Sequence, residues 1–455
     1  MEQSKRFSDE VDMLHGSLLP KILRFAIPVA LSGLLQLLFT ATDTVIVGRF
    51  AGDASLAAVG SNASLMGLFT NLFIGMSVGS NIVVSRHYAQ ENWKSVDDAV
   101  HTSVLLGLLG GVLLAVIGFF SAHRILQWMN CSDEVLLLAT LYLKIVFLGM
   151  PAMLVYNFGA AIMRSVGQTK AALYYLIASG ALNVVLNLCF VVNLSMGVAG
   201  VALATVMTQT LSAALVIRYL IRTPGRIHLT PSRIRVDRVQ LFDIIRTGVP
   251  AGIQSILFSI ADTFVQSSVN SLGDTVMSGN AAATNYMSFP YTLIVAFNQT
   301  ALVFISQNAS AGKWKRARSS LYLCAAASLS MQTLAIIVSM WKAKTLLGLY
   351  TTSAAVIGAG LIRMQIILPF YALYALFDLA TNALRALGHP MLPTVITVGG
   401  VCVLRLAWLA VMFRQPQYHT IQTIYWAYPL SWTVSFVVGM ICLIWVWRRE
   451  EKCTV

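Results

Sequence analysis

Long apolar runs separated by short polar stretches fill most of the chain. Twelve of these runs contain the roughly 20 mainly apolar residues that a helix needs to cross the hydrocarbon core of a bilayer. They lack the strict alternation of a membrane β-strand, and lipid-exposed backbone then permits only helices. The pattern predicts an all-α membrane protein with twelve transmembrane helices. Their approximate bounds are 22–48, 55–84, 99–121, 135–158, 168–191, 198–221, 241–268, 279–308, 320–342, 353–382, 391–413 and 422–447.

Composition supports a membrane protein and excludes several other classes. Of the 455 residues, 57% are hydrophobic and 11% are charged, whereas soluble proteins carry about 25% charged residues. These values exclude a cytosolic enzyme and a disordered chain, and the six dispersed cysteines exclude a disulfide-stapled domain. The net charge of +13 does not indicate a nucleic-acid partner here, because in a membrane protein the position of the charges matters more than their sum.

The Lys and Arg residues lie mostly on one side of the predicted membrane. With the N-terminus inside, 23 of the 31 fall in cytoplasmic segments and 5 in external loops. Cytoplasmic loops carry such an excess in membrane proteins, so both termini are predicted to be cytoplasmic. Residues 1–20 lack the apolar core and cleavage site of a signal peptide. We predict a multi-pass protein of the cell (plasma or inner) membrane.

The two halves of the chain repeat each other. Matching residues lie 221 positions apart, as in Gly52 and Gly273, Trp93 and Trp314, and Arg164 and Arg385. Each half has six predicted helices, so equivalent helices cross the membrane in the same direction, as in the parallel repeats of transporters. The predicted domains are a cytoplasmic tail 1–20, an N-lobe 21–221, a basic cytoplasmic linker 222–240, a C-lobe 241–447 and a cytoplasmic tail 448–455.

Three carboxylates lie well inside predicted spans: Asp43, Asp262 and Asp378. An acid near the bilayer centre costs at least ~2.5 kcal/mol, and such residues often serve proton or ion transport. Each of these acids could exchange a proton, or pair with Na⁺ or a cationic substrate. Alternatively, each could have a purely structural role and hold helices together through hydrogen bonds to nearby hydroxyls.

Three basic residues also lie inside predicted spans. Arg405 is in the middle of the eleventh span, and we predict that it pairs with Asp378. Lys144 and Arg363 lie nearer the external side. We predict that their long side chains extend to the membrane surface.

Amides and hydroxyls of the fifth and sixth spans form a candidate proton or cation site. Asn183 and Asn187 are four residues apart and share one helix face, and Thr205 follows in the next span. The same groups could simply bond two helices together, at ~0.6 kcal/mol each. Polar residues of the first, seventh, eighth and tenth spans are candidates for a substrate cavity. They are Gln36, Gln254, Asp262, Asn285, Tyr286, Gln299 and Asp378, with Asn298 beside Gln299.

Motifs for nucleotide or zinc chemistry are missing from the sequence. It contains no GxxxxGK[ST] loop and no HxxxH or HExxH pair. ATP-driven transport by this chain and a membrane metalloprotease therefore have no support, and we expect neither enzymatic activity nor a cofactor. Energy would come from an ion gradient, where one charge moved through 100 mV supplies ~2.3 kcal/mol.

Three segments carry a family resemblance. They are ATDTVIVGRFAGDASLAAVG, LNVVLNLCFVVNLSMGVAGVALAT, and MRSVGQTK with its echo LRALGHP. In order and spacing they resemble the multidrug and toxic compound extrusion (MATE) transporters, in the prokaryotic NorM-like or DinF-like branch. The resemblance covers about 15–447. It implies two pseudo-symmetric six-helix bundles, as V-shaped lobes around a cleft, in a monomer surrounded by lipid. It also implies export of amphipathic or cationic small molecules in antiport with H⁺ or Na⁺, by rocker-type alternating access.

The resemblance also implies functional residues. The family's first-helix aspartate, fifth-helix polar pair and sixth-helix threonine match Asp43, Asn183 with Asn187, and Thr205. The second member of the pair is commonly Asp in the family, so this chain lacks one carboxylate at Asn187. A hard cation favours charged oxygen ligands. The departure therefore weakens a Na⁺ site at these four residues and favours Asp43 as a single proton carrier.

Other functions fit parts of the pattern. A lipid-linked saccharide flippase of the same superfamily shares the architecture, but flippase lumens tend to be rich in basic residues, and few lie inside these spans. A major-facilitator transporter usually carries a Gly-Asp-Arg-Gly-Arg type signature after its second helix, where this chain has SRHYAQENWK. A membrane-embedded enzyme or receptor would need a catalytic cluster or a sensing domain, and the sequence indicates neither.

Overall fold

Every predicted span forms helix in the computed structural model, which describes residues 10–128, 133–223 and 227–454. The first half contains α1 (Leu18–Phe50), α2 (Asp53–Ala89), α3 (Trp93–Trp128), α4 (Asp133–Leu148), α5 (Met150–Ser165), α6 (Thr169–Asn187) and α7 (Gly197–Arg222). The second half contains α8 (Arg238–Asn270), α9 (Asp274–Ser310), α10 (Trp314–Trp341), α11 (Ala343–Gly348), α12 (Ala354–Ile367), α13 (Tyr371–Ala386), α14 (Met391–Thr397), α15 (Leu404–Trp408) and α16 (Ile421–Thr454). Short π-helical segments occupy Leu188–Asn193, Val398–Val403 and Leu409–Phe413, and 3₁₀ turns occupy Pro231–Arg233, Leu368–Phe370 and Pro416–Tyr418.

These helices have the length and composition of membrane spans. Ten helices or helix runs among the described residues are long and apolar enough to cross a bilayer. The pair α4 and α5 counts as an eleventh if its 47° bend lies within one span, and α2, with 37 residues, covers the remaining predicted span. Pro151 lies in the first turn of α5, where a proline needs no helical hydrogen bond, and so marks the bend. No β-strand occurs within the described ranges.

The repeat seen in the sequence recurs in the backbone. Three pairs of turn residues have left-handed φ angles, and the members of each pair are 221 positions apart. They are Gly52 and Gly273 (84° and 95°), Glu91 and Gly312 (55° and 72°), and Gly167 and Gly388 (88° and 94°). The π-helical segments that begin at Leu188 and Leu409 are separated by the same 221 residues. The two halves therefore share their turns as well as their helices.

Residue contacts divide the described chain into two units. The first unit is built mainly from Leu31–Gly252, and the second from Met13–Ala30 together with the residues from Ile253 onward. Helix α1 therefore begins in the second unit and continues in the first, whereas α8 begins in the first and continues in the second. The predicted tails, linker and lobes stay a prediction, and the residues 1–9, 129–132, 224–226 and 455 that they include lie outside the described ranges.

The first turns of α1 are packed within the second unit. Phe25 is fully buried, and its ring meets the Phe304 ring edge-on, with the ring centroids 5.9 Å apart. The chain just before α1 is held by polar side chains of the same unit. Asn308 Nδ2 and Arg316 Nε donate hydrogen bonds to Met13 O, at 3.2 Å and 2.9 Å. The start of α1 is thus fixed by both apolar and polar contacts.

The first turns of α8 pack closely on α2 within the first unit, through two glycines on each helix. These are Gly75 and Gly79 of α2, and Gly248 and Gly252 of α8. A Cβ atom on Gly79 would lie 2.5 Å from Ile244 O and 2.8 Å from Gly248 N, closer than real side chains approach. Small residues let helix backbones approach one another in membranes. The four residues are called the glycine contact below.

Candidate functional site

Asp43 of α1 and two amides of α6 form a small polar cluster in the first unit, called the Asp43 cluster below. Asn187 Nδ2 donates to Asp43 Oδ1 at 2.5 Å and to Asn183 Oδ1 at 3.1 Å. Asn187 is fully buried, Asn183 is buried and Asp43 is half-buried. The Asn187 Oδ1 atom is also buried, and it has no hydrogen-bond partner in the part of the chain that the structure describes. The cluster therefore contains one carboxylate and one unused amide acceptor.

The end of α6 places both amides at Asp43. Asn183 and Asn187 are four residues apart and project from one helix face. Helix α6 ends at Asn187, and the π-helical segment Leu188–Asn193 follows directly. Such π-helical turns occur often at functional sites. Tyr142 of α4 is an electrostatic neighbour of Asp43 that the sequence did not identify, because nothing in its span distinguishes it from a packing aromatic residue.

Thr205 of α7, the fourth predicted member of this site, has its described hydrogen bond within its own helix. Thr205 Oγ1 donates to Val201 O at 2.9 Å. A hydroxyl that donates to the backbone keeps its oxygen lone pairs as acceptors, so it could still ligate a cation. The structure brings together Asp43, Asn183 and Asn187, and the part of Thr205 in a shared site stays a prediction. Within the described ranges, no three His, Cys, Asp or Glu side chains meet as a metal site.

Asp262 of α8 and Arg405 of α15 form an ion pair in the second unit. Arg405 Nη1 lies 2.9 Å from Asp262 Oδ1. The Arg405 side chain is 0% exposed and the Asp262 side chain is 44% exposed. The guanidinium also lies over the Tyr428 ring, with its Cζ atom 4.1 Å from the centroid. The predicted pairing of Arg405 with Asp378 is therefore wrong.

Asp378 of α13 has a different partner, which explains that correction. Asn298 Nδ2 of α9 donates to Asp378 Oδ2 at 2.7 Å, so an amide supplies the hydrogen bond that we assigned to an arginine. The sequence marked Asn298 as a polar residue of the eighth span but did not connect it with this acid. The three intramembrane acids thus have three separate sets of hydrogen-bond partners.

Arg363 of α12 does not extend to the membrane surface, and that prediction is also wrong. Its side chain is buried, and Nη1 donates to Asn280 Oδ1 of α9 at 2.7 Å. Tyr425 OH donates to the same oxygen at 3.1 Å, and the guanidinium lies over the Tyr425 and Tyr428 rings at 5.3 Å from each centroid. An acceptor and two aromatic faces stabilise the charge inside the bundle.

Replacing Asn280 should destabilise the fold. Asn280→Leu removes the acceptor of a buried guanidinium, and we expect the free energy of unfolding to fall by about 2–3 kcal/mol. Thermal unfolding of the purified protein in detergent would measure the change. Asn285→Leu is the matched control, because Asn285 is exposed on the same helix and surface changes usually stay within about 0.5 kcal/mol. Equal melting temperatures for the two variants would contradict the structural role of Asn280.

The other candidate substrate residues are distributed over several helices. Gln254 Oε1 accepts a hydrogen bond from Arg385 Nη2 at 2.5 Å, so it helps to hold a buried guanidinium. Tyr286 OH and Ser339 Oγ lie 2.6 Å apart. The remaining candidates are Gln36 and Asn285, which are exposed, and Gln299, which is partly buried. Their role as a substrate cavity stays a prediction.

Known proteins resemble this chain in sequence and in fold. The family model described as MatE matches residues 28–189 and 250–410, one stretch in each half. The chain is 26% identical over 437 residues to probable multidrug resistance protein YoeA of Bacillus subtilis (strain 168), covering 94% of each. It is 21% identical over 446 residues to multidrug export protein MepA of Staphylococcus saprophyticus, covering 97% of this chain and 96% of the relative. A solved structure described as the outward-facing conformation of a multidrug resistance MATE family transporter superposes with a TM-score of 0.90 at 19% identity, covering 97% of this chain and 98% of the other. The predicted all-α fold of two six-helix bundles is confirmed.

Proposed function

We propose that this chain, which belongs to the MatE family, exports amphipathic and cationic small molecules in antiport with protons. The names of its relatives, which are multidrug resistance and multidrug export proteins, support the export of such compounds. The Asp43 cluster is the observation that carries the proposal. It places a membrane-embedded carboxylate beside a buried amide acceptor, Asn187 Oδ1, that has no partner among the described residues.

Protonation of Asp43 would add a hydrogen-bond donor to this cluster. The carboxylate accepts a hydrogen bond from Asn187 Nδ2. A protonated carboxyl group also carries an O–H donor, and Asn187 Oδ1 offers an acceptor on the same neighbouring side chain. The two protonation states therefore favour different hydrogen-bond arrangements between α1 and α6. A ligand shifts a conformational equilibrium only through such a difference in interaction free energy.

The donor set of the cluster favours a proton over Na⁺. A sodium ion at Asp43 would have one charged ligand, with the amide oxygens of Asn183 and Asn187 and the hydroxyl of Thr205 as neutral ones. Hard cations bind best where several charged oxygens converge. The Asn183 oxygen already accepts a hydrogen bond from Asn187, which further reduces its availability as a ligand.

The proposed cycle alternates access to the two sides of the membrane by a rocking movement. A proton binds Asp43 in the outward-facing state, α1 and α6 rearrange and the substrate leaves. The inward-facing state then releases the proton and binds new substrate. A proton that moves through 100 mV supplies ~2.3 kcal/mol. We place the protein in the cell membrane with both termini cytoplasmic, because 23 of the 31 Lys and Arg residues then face the cytoplasm. The monomer is proposed from the family resemblance alone.

The buried arginines argue against transport of a lipid-linked saccharide. A flippase would need free basic groups to hold the phosphates of its substrate. Here Arg405 is paired with Asp262, and Arg363 donates to Asn280. Both guanidinium groups are therefore already used within the second unit, which favours an exporter of cations over a carrier of lipid phosphates.

Ethidium transport into everted membrane vesicles tests the proposal. We expect an imposed pH gradient to drive ethidium accumulation and an imposed sodium gradient at equal pH to drive none. The matched control uses vesicles from cells without the protein. Accumulation with the sodium gradient alone would overturn the choice of proton. Transfer of a lipid-linked sugar by the purified protein in vesicles, without ethidium transport, would overturn the exporter proposal as a whole.

A further inference from the structure

The first helix of each half contains an intramembrane acid that is bonded to the fifth span of that half. In the first half, Asp43 of α1 accepts from Asn187 at the end of α6, just before a π-helical segment. In the second half, Asp262 of α8 accepts from Arg405 of α15, which lies between two π-helical segments. The two halves therefore build the same contact between equivalent helices, with a neutral partner in one half and a cationic partner in the other.

We infer that Arg405 is a fixed counter-cation which removes Asp262 from ion exchange, so that Asp43 is the exchanging acid of the two first helices and Asp262 adds no second ion to the cycle. The inference rests on the proposed function, because it assumes that Asp43 is the exchanging acid. Arginine keeps its proton throughout the physiological range. The guanidinium of Arg405 is thus a permanent positive charge beside Asp262, whereas the proposed positive charge beside Asp43 is an exchangeable proton or cation.

The contacts of Arg405 tie it to Asp262. Arg405 is fully buried and lies against the faces of Tyr428 and Phe258, at 4.1 Å and 5.5 Å from the ring centroids. Its Nε and Nη2 atoms have no hydrogen-bond partner within the described ranges, so Asp262 is its one described hydrogen-bonding partner. Because the Arg405 charge is buried, the loss of Asp262 would leave it uncompensated. The pair therefore acts as a unit.

The other titratable groups near Asp262 add no second acid. Arg363 of α12 acts on Asp262 electrostatically with the same sign as Arg405. The remaining titratable groups whose electrostatic interaction with Asp262 is described are Tyr291, Tyr371 and Cys402. The environment of Asp262 thus holds more positive than negative charge, which is the reverse of what an exchangeable cation requires.

Substitution of Arg405 should restore ion exchange in the second half. In Arg405→Gln, the Asp262 carboxylate keeps a hydrogen-bond donor but loses its bonded counter-cation, so a second proton should enter the cycle. Arg405→Lys keeps the charge and should behave as the wild type. In Asp262→Asn with Arg405→Gln, two neutral amides replace the pair. This double variant should keep the wild-type ion ratio, because no exchangeable acid remains there.

The measurement is the ethidium gradient at which net transport stops in proteoliposomes, with the membrane potential clamped to zero. A tenfold gradient of the driving ion should hold an ethidium gradient of about tenfold through one exchanged ion, and about a hundredfold through two. The wild type, Arg405→Lys and the double variant should give the smaller value, and Arg405→Gln the larger one.

Each outcome decides the inference. The smaller value for Arg405→Gln would overturn it. If Arg405→Gln does not fold, the double variant decides, and a loss of ion-driven transport in a folded double variant would overturn the inference, because Asp262 would then be an exchanging acid. Asp43→Asn separates the two proposals. If Asp43→Asn retains ion-driven transport, the proposed function is refuted. If Asp43→Asn loses ion-driven transport and Arg405→Gln still exchanges one ion per ethidium, only the role of Arg405 is refuted.

Discussion

Asp43→Asn should reduce ion-driven ethidium transport to the level of vesicles without the protein. The substitution removes the one carboxylate of the Asp43 cluster and leaves its shape almost unchanged. An asparagine at position 43 can still accept from Asn187 Nδ2, and its own amide can donate to the unpartnered Asn187 Oδ1. The two helices should therefore remain joined, while the group that takes up and releases a proton is lost. Initial rates of ethidium accumulation in everted vesicles under an imposed pH gradient measure the effect.

Asp274→Asn is the matched control for this prediction. Asp274 is an exposed acid in the first turn of α9, and a charge at that position stabilises a helix by at most about 1 kcal/mol. We expect its transport rate to equal that of the wild type. The amount of each variant in the membrane and its melting temperature in detergent should match the wild type. A transport rate near the wild-type value in Asp43→Asn would refute the role of Asp43.

Gly79→Leu should lower the transport rate about tenfold or more, because it breaks the glycine contact. A side chain at this position would clash with backbone atoms of Gly248 and Ile244 in α8. Backbone atoms cannot move aside as a flexible side chain does. Overpacking of this kind costs about 1–3 kcal/mol, and 1.4 kcal/mol already changes a population tenfold. We therefore expect the conformation in which α2 and the start of α8 are in contact to become a minor one. The ethidium transport rate per inserted protein and the melting temperature in detergent both report the change.

Gly60→Leu provides the control on the same helix. A Cβ atom at Gly60 meets nothing within 4 Å, so the larger side chain should be tolerated. Gly60→Leu and Gly79→Leu both replace glycine by leucine, so they raise the helix propensity by the same amount. Wild-type transport and stability in Gly79→Leu would show that the close approach of α2 and α8 is not needed in the cycle.

The helices and their repeat could be predicted from the sequence, because both depend on local patterns. A run of about 20 apolar residues crosses a bilayer as a helix. The offset of 221 between residues such as Gly52 and Gly273 returns in the structure, where both residues have left-handed φ angles. The division of α1 and α8 between two units could not be predicted in this way. Hydrophobic periodicity shows that a helix face is buried, but it does not show which unit buries it.

The partners of the intramembrane charges were harder to predict. Asp43 and the two amides were found because a spacing of four residues and a family resemblance point to one helix face. Arg405 lies 143 positions from Asp262, and three acids were available to it, so the sequence could not select the right one. Arg363 was assigned to the membrane surface from its position near a span end. Its acceptor, Asn280, is 83 positions away and has no sequence signal of its own.

The exchange of helix beginnings between the units has a consequence for how this protein is made. The first unit includes α8 up to Gly252, and that part of α8 belongs to the second copy of the duplicated sequence. During synthesis the first unit therefore cannot complete its packing until the start of the second half has left the ribosome.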